Sequence, residues 1–195
     1  SVAGNTTDKP TVLAYHRANN PNAFLILNHP NLSIYGGDYS DSEILNLDYD
    51  CIELFDAAYD DDYPTNVEDK WDMVLSSGRL IWGSCSDDCH DITDSDGYDE
   101  FCHGWIDILS DVNDQNSILT ALKNGHFYGC VRHDISINYN SSTYTITATS
   151  SSTSKFEFIG YNGVVYKTVD NSTSASYTIN GDEKYIRVKS TSKAN

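Results

Sequence analysis

The chain has 195 residues and a formal net charge of -17, and 39% of its residues are hydrophobic. A negative net charge argues against nonspecific binding to nucleic acid or anionic membranes, because proteins bind both through clustered Lys and Arg side chains. No apolar stretch approaches the ~18 residues that are needed to cross a bilayer. The composition therefore favours a soluble, acidic protein with one good domain or two small ones.

Helices and short apolar runs alternate in the first part of the chain. In chain order, the patterns predict a helix, a strand, a helix, a strand and a helix, over residues 11–18, 23–27, 65–76, 80–84 and 114–123. Strands that are apolar on both faces are typical of a parallel sheet covered by helices. We therefore predict an α/β unit over residues 1–133.

The pattern changes near Asp134 to short alternating strands. Six of them are marked by apolar pairs, at Ile135 and Ile137, Tyr144 and Ile146, Phe156 and Phe158, Val165 and Tyr166, Tyr177 and Ile179, and Ile186 and Val188. Asn162-Gly163 and Asn180-Gly181 have the composition of hairpin turns, and the Ser/Thr tract 150–154 is expected to be an exposed turn. Residues 134–195 are therefore predicted to form a small β-sandwich.

Three side chains that commonly bind metals follow two of the predicted strands. His29 lies in Asn28-His29-Pro30, just after the first strand, and Asp88 and His90 follow the strand over residues 80–84. Residues two apart on an extended backbone project to the same side, and parallel strands place their carboxyl ends at one edge of a sheet. Imidazole nitrogen and carboxylate oxygen suit zinc, manganese or iron. We predict that His29, Asp88 and His90 bind one divalent ion.

The same residues resemble the polymerase and histidinol phosphatase (PHP) superfamily of metal-dependent phosphoesterases. The resemblance covers about residues 28–128 and consists of an ordered series of motifs: His29-Pro30, a strand with an acidic residue at 51–55, Trp71-Asp72 on a helix, Asp88-x-His90, and a late helix and turn at 118–128. It implies that residues 1–133 form part of a distorted β/α barrel. It also implies a reaction in which metal-activated water attacks a small-molecule phosphate ester.

The chain departs from that family at its most distinctive motif. Family members open with His-x-His, which occurs nowhere in this chain, and His16 stands alone in a predicted helix where an exposed histidine is the simpler interpretation. The resemblance therefore implies an incomplete metal site, an inactive isolated chain, and a missing amino-terminal PHP segment lost by processing, proteolysis or choice of the expressed region. The β unit resembles a domain of some secreted or surface PHP-like proteins, which suggests the same location here.

Three further residues are candidates for supporting roles. Glu53 is expected either to orient a ligand or to pair with a nearby cation. Asp87 is expected either to orient an imidazole or water from outside the ligand set, or to be a solvated loop carboxylate. Arg132 could grip a phosphate if it faces the cleft, although a surface position is the simpler expectation.

Two alternatives remain open at this stage. The first is a noncatalytic, degenerate PHP-like scaffold whose β-sandwich makes the chain a binding or surface protein. The second concerns the cysteines, which could form a structural zinc site with neighbouring histidines or be buried free thiols. The side chains of that rival site are Cys85, Cys89, His90, Cys102 and His103.

Overall fold

The structure is a computed structural model that describes residues 8–31, 39–56, 67–90 and 101–192. These residues are 24% helical and 37% in strands, and the strands form small separate sheets. The predicted partial β/α barrel is therefore wrong, and the described chain is mostly β. No helix in these ranges has the length and apolar character that crossing a membrane requires.

The described residues include four short α-helices and eleven strands, joined by turns and loops. The helices are α1 (Lys9–Asn19), α2 (Asp41–Asn46), α3 (Glu68–Ser76) and α4 (Gln115–Lys123). The strands are β1 (Ile26–Leu27), β2 (Cys51–Asp56), β3 (Trp82–Ser86), β4 (Gly104–Ile108), β5 (Phe127–Val131), β6 (Ser136–Asn140), β7 (Thr145–Thr149), β8 (Thr153–Gly160), β9 (Val164–Asp170), β10 (Ser174–Thr178) and β11 (Arg187–Ser192).

The first sheet is parallel but small. It has the order β1-β2-β3, with Ile26 opposite Cys51 and Cys51 opposite Trp82. Within the described ranges the sheet stops at these three strands, and β4 and β5 pair antiparallel with each other. A barrel needs a parallel ladder that continues from strand to strand until it closes. Here the ladder ends after β3, which is why the barrel does not form.

Helices α2 and α3 bury the first sheet through a compact apolar cluster. The Ser40 side chain accepts from the Glu43 backbone N–H, and the Glu43 side chain accepts from the Ser40 N–H, so a capping box begins α2. The cluster contains Leu27, Ile44, Leu47, Tyr49, Ile52, Val67, Val74 and Ile81. Gly78, with φ 92°, lies just after α3 in a conformation that glycine adopts readily.

All six predicted strands of the carboxyl-terminal part are present. They form two antiparallel three-stranded sheets, ordered β10-β7-β6 and β11-β8-β9. Both sheets contribute to one buried cluster, which contains Cys130, Ile135, Ala148, Phe156, Phe158, Ala175 and Tyr177. Because Cys130 belongs to β5, this cluster extends across residue 133, and the proposed division of the chain there stays a prediction. Thr153, predicted to lie in an exposed turn, is instead only 1% exposed.

A buried ion pair connects α3 with β11. The Arg187 guanidinium donates to both carboxylate oxygens of Asp72, at 2.8 and 2.7 Å, and also contacts Glu68 at 2.9 Å. The Tyr185 hydroxyl donates to the same Asp72 carboxylate at 2.8 Å. The side chains of Arg187 and Asp72 are 9% and 7% exposed, so this contact is shielded from water.

The predicted hairpin at Asn180-Gly181 is wrong, because β10 and β11 belong to different sheets. The turn instead crosses between the sheets and is held by Glu183, which is 3% exposed. Its carboxylate accepts from the Tyr177 hydroxyl at 2.7 Å and from the backbone N–H groups of Asn180 and Gly181, each at 2.8 Å. Burial alone would raise the pKa of Glu183, but these hydrogen bonds outweigh it and lower that pKa to about 2.

We expect Glu183→Gln to lower the free energy of unfolding by about 2 kcal/mol at pH 7, because one buried donor loses its acceptor. A depressed folded-state pKa stabilises the protein above the unfolded-state pKa of about 4.3 and loses this effect as pH falls towards the folded-state value. The difference between wild type and variant should therefore shrink between pH 4.3 and about 2. Urea unfolding at several pH values measures it, with the exposed neighbour Asp182→Asn as control. A difference that does not change with pH would contradict this role.

Candidate functional site

The predicted ligands lie beyond the carboxyl ends of two parallel strands. His29 follows β1 by two residues, and Asp88 follows β3 by two residues. Strand β2, which carries Glu53, runs between them in the order β1-β2-β3. The parallel pairing therefore brings His29 and Asp88 to the same edge of the sheet, on either side of β2.

Glu53 joins the two flanking segments at this edge. Its Oε2 accepts from the His29 backbone N–H at 2.6 Å, and its Oε1 accepts from the Ser86 hydroxyl at 2.6 Å. The side chain belongs to a residue that is only 3% exposed. Burial raises the pKa of Glu53, the two hydrogen bonds oppose that rise, and the nearby charge of Asp88 adds to it.

The His29 imidazole presents a buried nitrogen with an unused lone pair or proton. Its Nδ1 is buried and has no hydrogen-bond partner, which is uncommon for a polar atom inside a protein. A neutral imidazole nitrogen is a preferred ligand of zinc and related ions. A divalent cation at this position would give the buried His29 Nδ1 a partner.

The backbone is strained at both predicted ligand segments. His29 has φ 32° and Asp88 has φ 47°, values that non-glycine residues adopt uncommonly. Such conformations persist when the surrounding structure holds them, and they concentrate at functional sites. Positive φ does not by itself distinguish these two segments, because six other non-glycine residues of the described ranges share it: Cys102, Arg132, Tyr144, Asn162, Asn171 and Lys184.

The structure brings two of the three predicted ligands together. The His90 Nε2 lies 3.9 Å from the Asp88 Oδ1, and the His90 side chain is 70% exposed. The ligand atoms of His29, Asp88 and His90 do not all come within 4.8 Å of one another. Among the described residues, the group that meets this distance consists of other side chains, those of Asp107, Cys130 and Asp134. Binding of one ion by all three would therefore require a movement, for which the exposed His90 has room.

Asp87 makes backbone contacts that the sequence does not reveal, and its role in orienting an imidazole or water stays a prediction. Its carboxylate accepts from three consecutive backbone N–H groups, those of Cys102, His103 and Gly104, at 2.8, 2.7 and 2.6 Å. Burial would raise the pKa of Asp87, but these bonds lower it below its usual range. Asp87 therefore fastens the end of β3 to the start of β4. Gly104 permits this approach, because a Cβ there would lie 2.4 Å from the Ser86 carbonyl oxygen.

Arg132 lies on the surface at the end of β5. The residue is exposed, has φ 55°, and its backbone N–H donates to the His103 carbonyl at 2.9 Å. Its phosphate-binding role stays a prediction, and the exposure agrees with the simpler surface position.

A second group of potential metal ligands was not anticipated from the sequence. Ligand atoms of Asp107, Cys130 and Asp134 all lie within 4.8 Å of one another, and this group could hold a metal. The Cys130 thiol donates to the Asp107 carboxylate at 3.3 Å, and burial with this bond raises the pKa of Cys130 to about 12. A metal ion that bound here would have to displace the thiol proton, because metals bind the thiolate.

No family model, curated protein or solved structure matches this chain. Function is therefore argued from the chemistry of the site. The rival cysteine zinc site gains no support, because in the described residues the side chains named for it form no group of three within 4.8 Å. All five cysteines lie in the described ranges, and none forms a disulfide bond there.

Sequence reasoning missed two residues that shape this edge of the sheet. The Ser86 hydroxyl binds Glu53, and the Lys70 ammonium donates to the carbonyl oxygens of Pro30 and Tyr39 at 3.3 and 2.9 Å. Lys70 thereby fixes the backbone just after His29 from helix α3. Ser86 ends its strand directly before Asp87, a position that could have signalled a role, whereas nothing near Lys70 in the sequence points to Pro30.

Proposed function

We propose that this chain supplies His29, Asp88 and His90 to a divalent metal site that hydrolyses phosphate esters. The observation that carries the proposal is the buried His29 Nδ1, which has no hydrogen-bond partner at the sheet edge where Asp88 and His90 also lie. Two imidazoles and one carboxylate suit zinc, manganese or iron. The proposal does not depend on a barrel.

Three protein ligands are the number found in many catalytic zinc sites, where further positions stay open for water or substrate. A divalent ion bound here would lower the pKa of a water molecule that it holds, and it would neutralise charge on phosphoryl oxygens. The chain itself has a formal net charge of -17, so an anionic phosphate ester is repelled unless a cation offsets that charge. Asp88 adds negative charge where the cation would bind, while Glu53 is occupied with His29 and Ser86.

The choice of phosphate esters rests on an ordered motif series that resembles that of the PHP superfamily. His29-Pro30, Trp71-Asp72 and Asp88-x-His90 occur in the family's order. We infer the substrate class from that series, and the ligand chemistry from the side chains themselves.

Hydrolysis of 4-nitrophenyl phosphate by the purified chain, with zinc, manganese or ferrous ions, tests this function. The family resemblance implies an inactive isolated chain, but three protein ligands are enough for many catalytic zinc sites. On this proposal we therefore expect turnover above that of the metal ion alone, and we expect this turnover to disappear in His29→Ala. His16→Ala is the matched control, because His16 is exposed on helix α1. Equal turnover in the two variants would contradict the proposal.

A noncatalytic metal-binding scaffold is the second candidate. It is favoured by the distances, since the three ligand atoms do not all lie within 4.8 Å of one another. This candidate would be supported over the enzyme if zinc binding depended on His29 and His90 while 4-nitrophenyl phosphate was not hydrolysed with zinc, manganese or ferrous ions.

A further inference from the structure

We propose that Glu53 is a positioning residue, which ties the end of β1 to the end of β3 and so sets where His29 and Asp88 stand. This inference rests on the proposed function in treating those two residues as metal ligands. It assigns Glu53 a task different from binding the ion itself.

The first argument is that both carboxylate oxygens are already used. Oε2 accepts from the His29 N–H and Oε1 from the Ser86 hydroxyl, at 2.6 Å each. Hydrogen bonds to a carboxylate are the stronger kind, and this residue is 3% exposed, so water competes little for them. One side chain of β2 thus bridges the segments that leave β1 and β3.

The second argument concerns the backbone of His29. Strand β1 ends at Leu27, so the sheet ladder provides no acceptor for the His29 N–H, and a partly buried N–H needs one. Glu53 is that acceptor. The bond also holds His29 at φ 32°, and this conformation determines the direction in which its imidazole leaves the backbone.

The third argument comes from the register of β2. The pairing with β3 is regular up to Glu53 opposite Ser84, and then shifts before Phe55 opposite Cys85. Irregularities of this kind redirect side chains and are frequent beside active sites. The shift comes directly after Glu53. The Glu53 side chain contacts Ser86, which lies two positions beyond Ser84, the residue that pairs with Glu53 in the sheet.

Glutamine separates positioning from metal binding at this site. In Glu53→Gln, the amide oxygen can accept from His29 while the amide N–H₂ donates to the Ser86 hydroxyl, which can accept as well as donate. Both hydrogen bonds of residue 53, to His29 and to Ser86, are then kept, but the negative charge that could bind a metal ion is lost. Glu53→Ala removes both.

Zinc titration by calorimetry provides the first readout. We expect Glu53→Ala to weaken zinc binding by about 10- to 100-fold, as for other groups that orient ligands, and Glu53→Gln to stay within about threefold of wild type. Equal losses in the two variants would make Glu53 a ligand and overturn the proposal, as would an unchanged affinity in Glu53→Ala.

Should Glu53→Ala fail to fold, Ser86→Ala takes its place, because it removes one end of the bridge only. Weaker zinc binding in Ser86→Ala together with near-normal binding in Glu53→Gln supports the proposal. Normal binding in Ser86→Ala overturns it.

Amide hydrogen exchange of the His29 N–H provides a readout that needs no metal. We expect faster exchange in Glu53→Ala, or in Ser86→Ala if the former does not fold, and protection near wild type in Glu53→Gln. Wild-type protein that binds no zinc would refute the proposed function, and the exchange rates would still decide the role of Glu53. Equal protection in all variants overturns that role.

Discussion

Arg187→Met is expected to lower the free energy of unfolding by about 3–5 kcal/mol, because it leaves the buried Asp72 carboxylate without its cation. Asp72 would lose both guanidinium hydrogen bonds, and Glu68 its contact at 2.9 Å. The side chains of Arg187 and Asp72 are 9% and 7% exposed, so water cannot replace the lost partner cheaply. Urea unfolding at pH 7 measures the loss.

Lys189→Met is the matched control for this prediction. Lys189 pairs with the same Glu68, but its side chain is 44% exposed, and exposed pairs contribute only about 0–1 kcal/mol. The double variant Arg187→Met/Asp72→Leu should recover part of the lost stability, because it removes both main partners of the buried pair. If Arg187→Met cost no more than Lys189→Met, the ion pair would not be what joins α3 to β11.

Asp88→Ala and His90→Ala are each expected to weaken zinc binding by more than about 100-fold. Loss of groups that merely orient ligands costs 10- to 100-fold, so loss of a ligand should exceed it. Asp88 contributes the negative charge of the proposed site, and its Oδ1 lies 3.9 Å from the His90 Nε2. Isothermal titration with zinc measures the affinities.

The control for these variants is Asp134→Ala. Asp134 belongs to the second group of potential ligands, with Asp107 and Cys130. We expect its zinc affinity to match wild type, because Asp134 lies outside the proposed ligand set of His29, Asp88 and His90. If Asp134→Ala lost zinc binding while Asp88→Ala kept it, the ion would belong to that second group.

The strands of the carboxyl-terminal part could be predicted because five of the six have their apolar pair at alternate positions, whereas Val165 and Tyr166 of β9 are adjacent. Phe156 and Phe158, for example, point into the core from β8 and are both fully buried. The grouping of these strands into two sheets could not be predicted. Asn180-Gly181 has hairpin composition, yet the chain there passes from one sheet to the other under the control of buried Glu183. Local turn chemistry does not specify which strands pair.

The barrel that the family resemblance implies is wrong, because a series of motifs does not determine how many strands join one sheet. The patterns of β2 and β3 do indicate buried strands, but nothing local determines how many strands join them. The antiparallel pairing of β4 with β5 depends on contacts distant in sequence. Gly104, whose Cβ would meet the Ser86 carbonyl, shows how closely β4 must approach β3.

The candidate site was predictable in its residue types and position but not in its contacts. The spacing of His29, Asp88 and His90 after strands follows from strand patterns alone. The contacts of Glu53 with His29 and Ser86 require the order and register of β1, β2 and β3. Similarly, Asp107 and Cys130 come together only once β4 and β5 are paired.

X-ray absorption at the zinc edge of the chain loaded with one equivalent of zinc tests the central claim most directly. The account predicts a first shell of nitrogen and oxygen only, at about 2.0–2.2 Å, from His29, Asp88 and His90. The spectrum should change in His29→Ala. A sulfur neighbour at about 2.3 Å, or a spectrum that His29→Ala leaves unaltered, would contradict it.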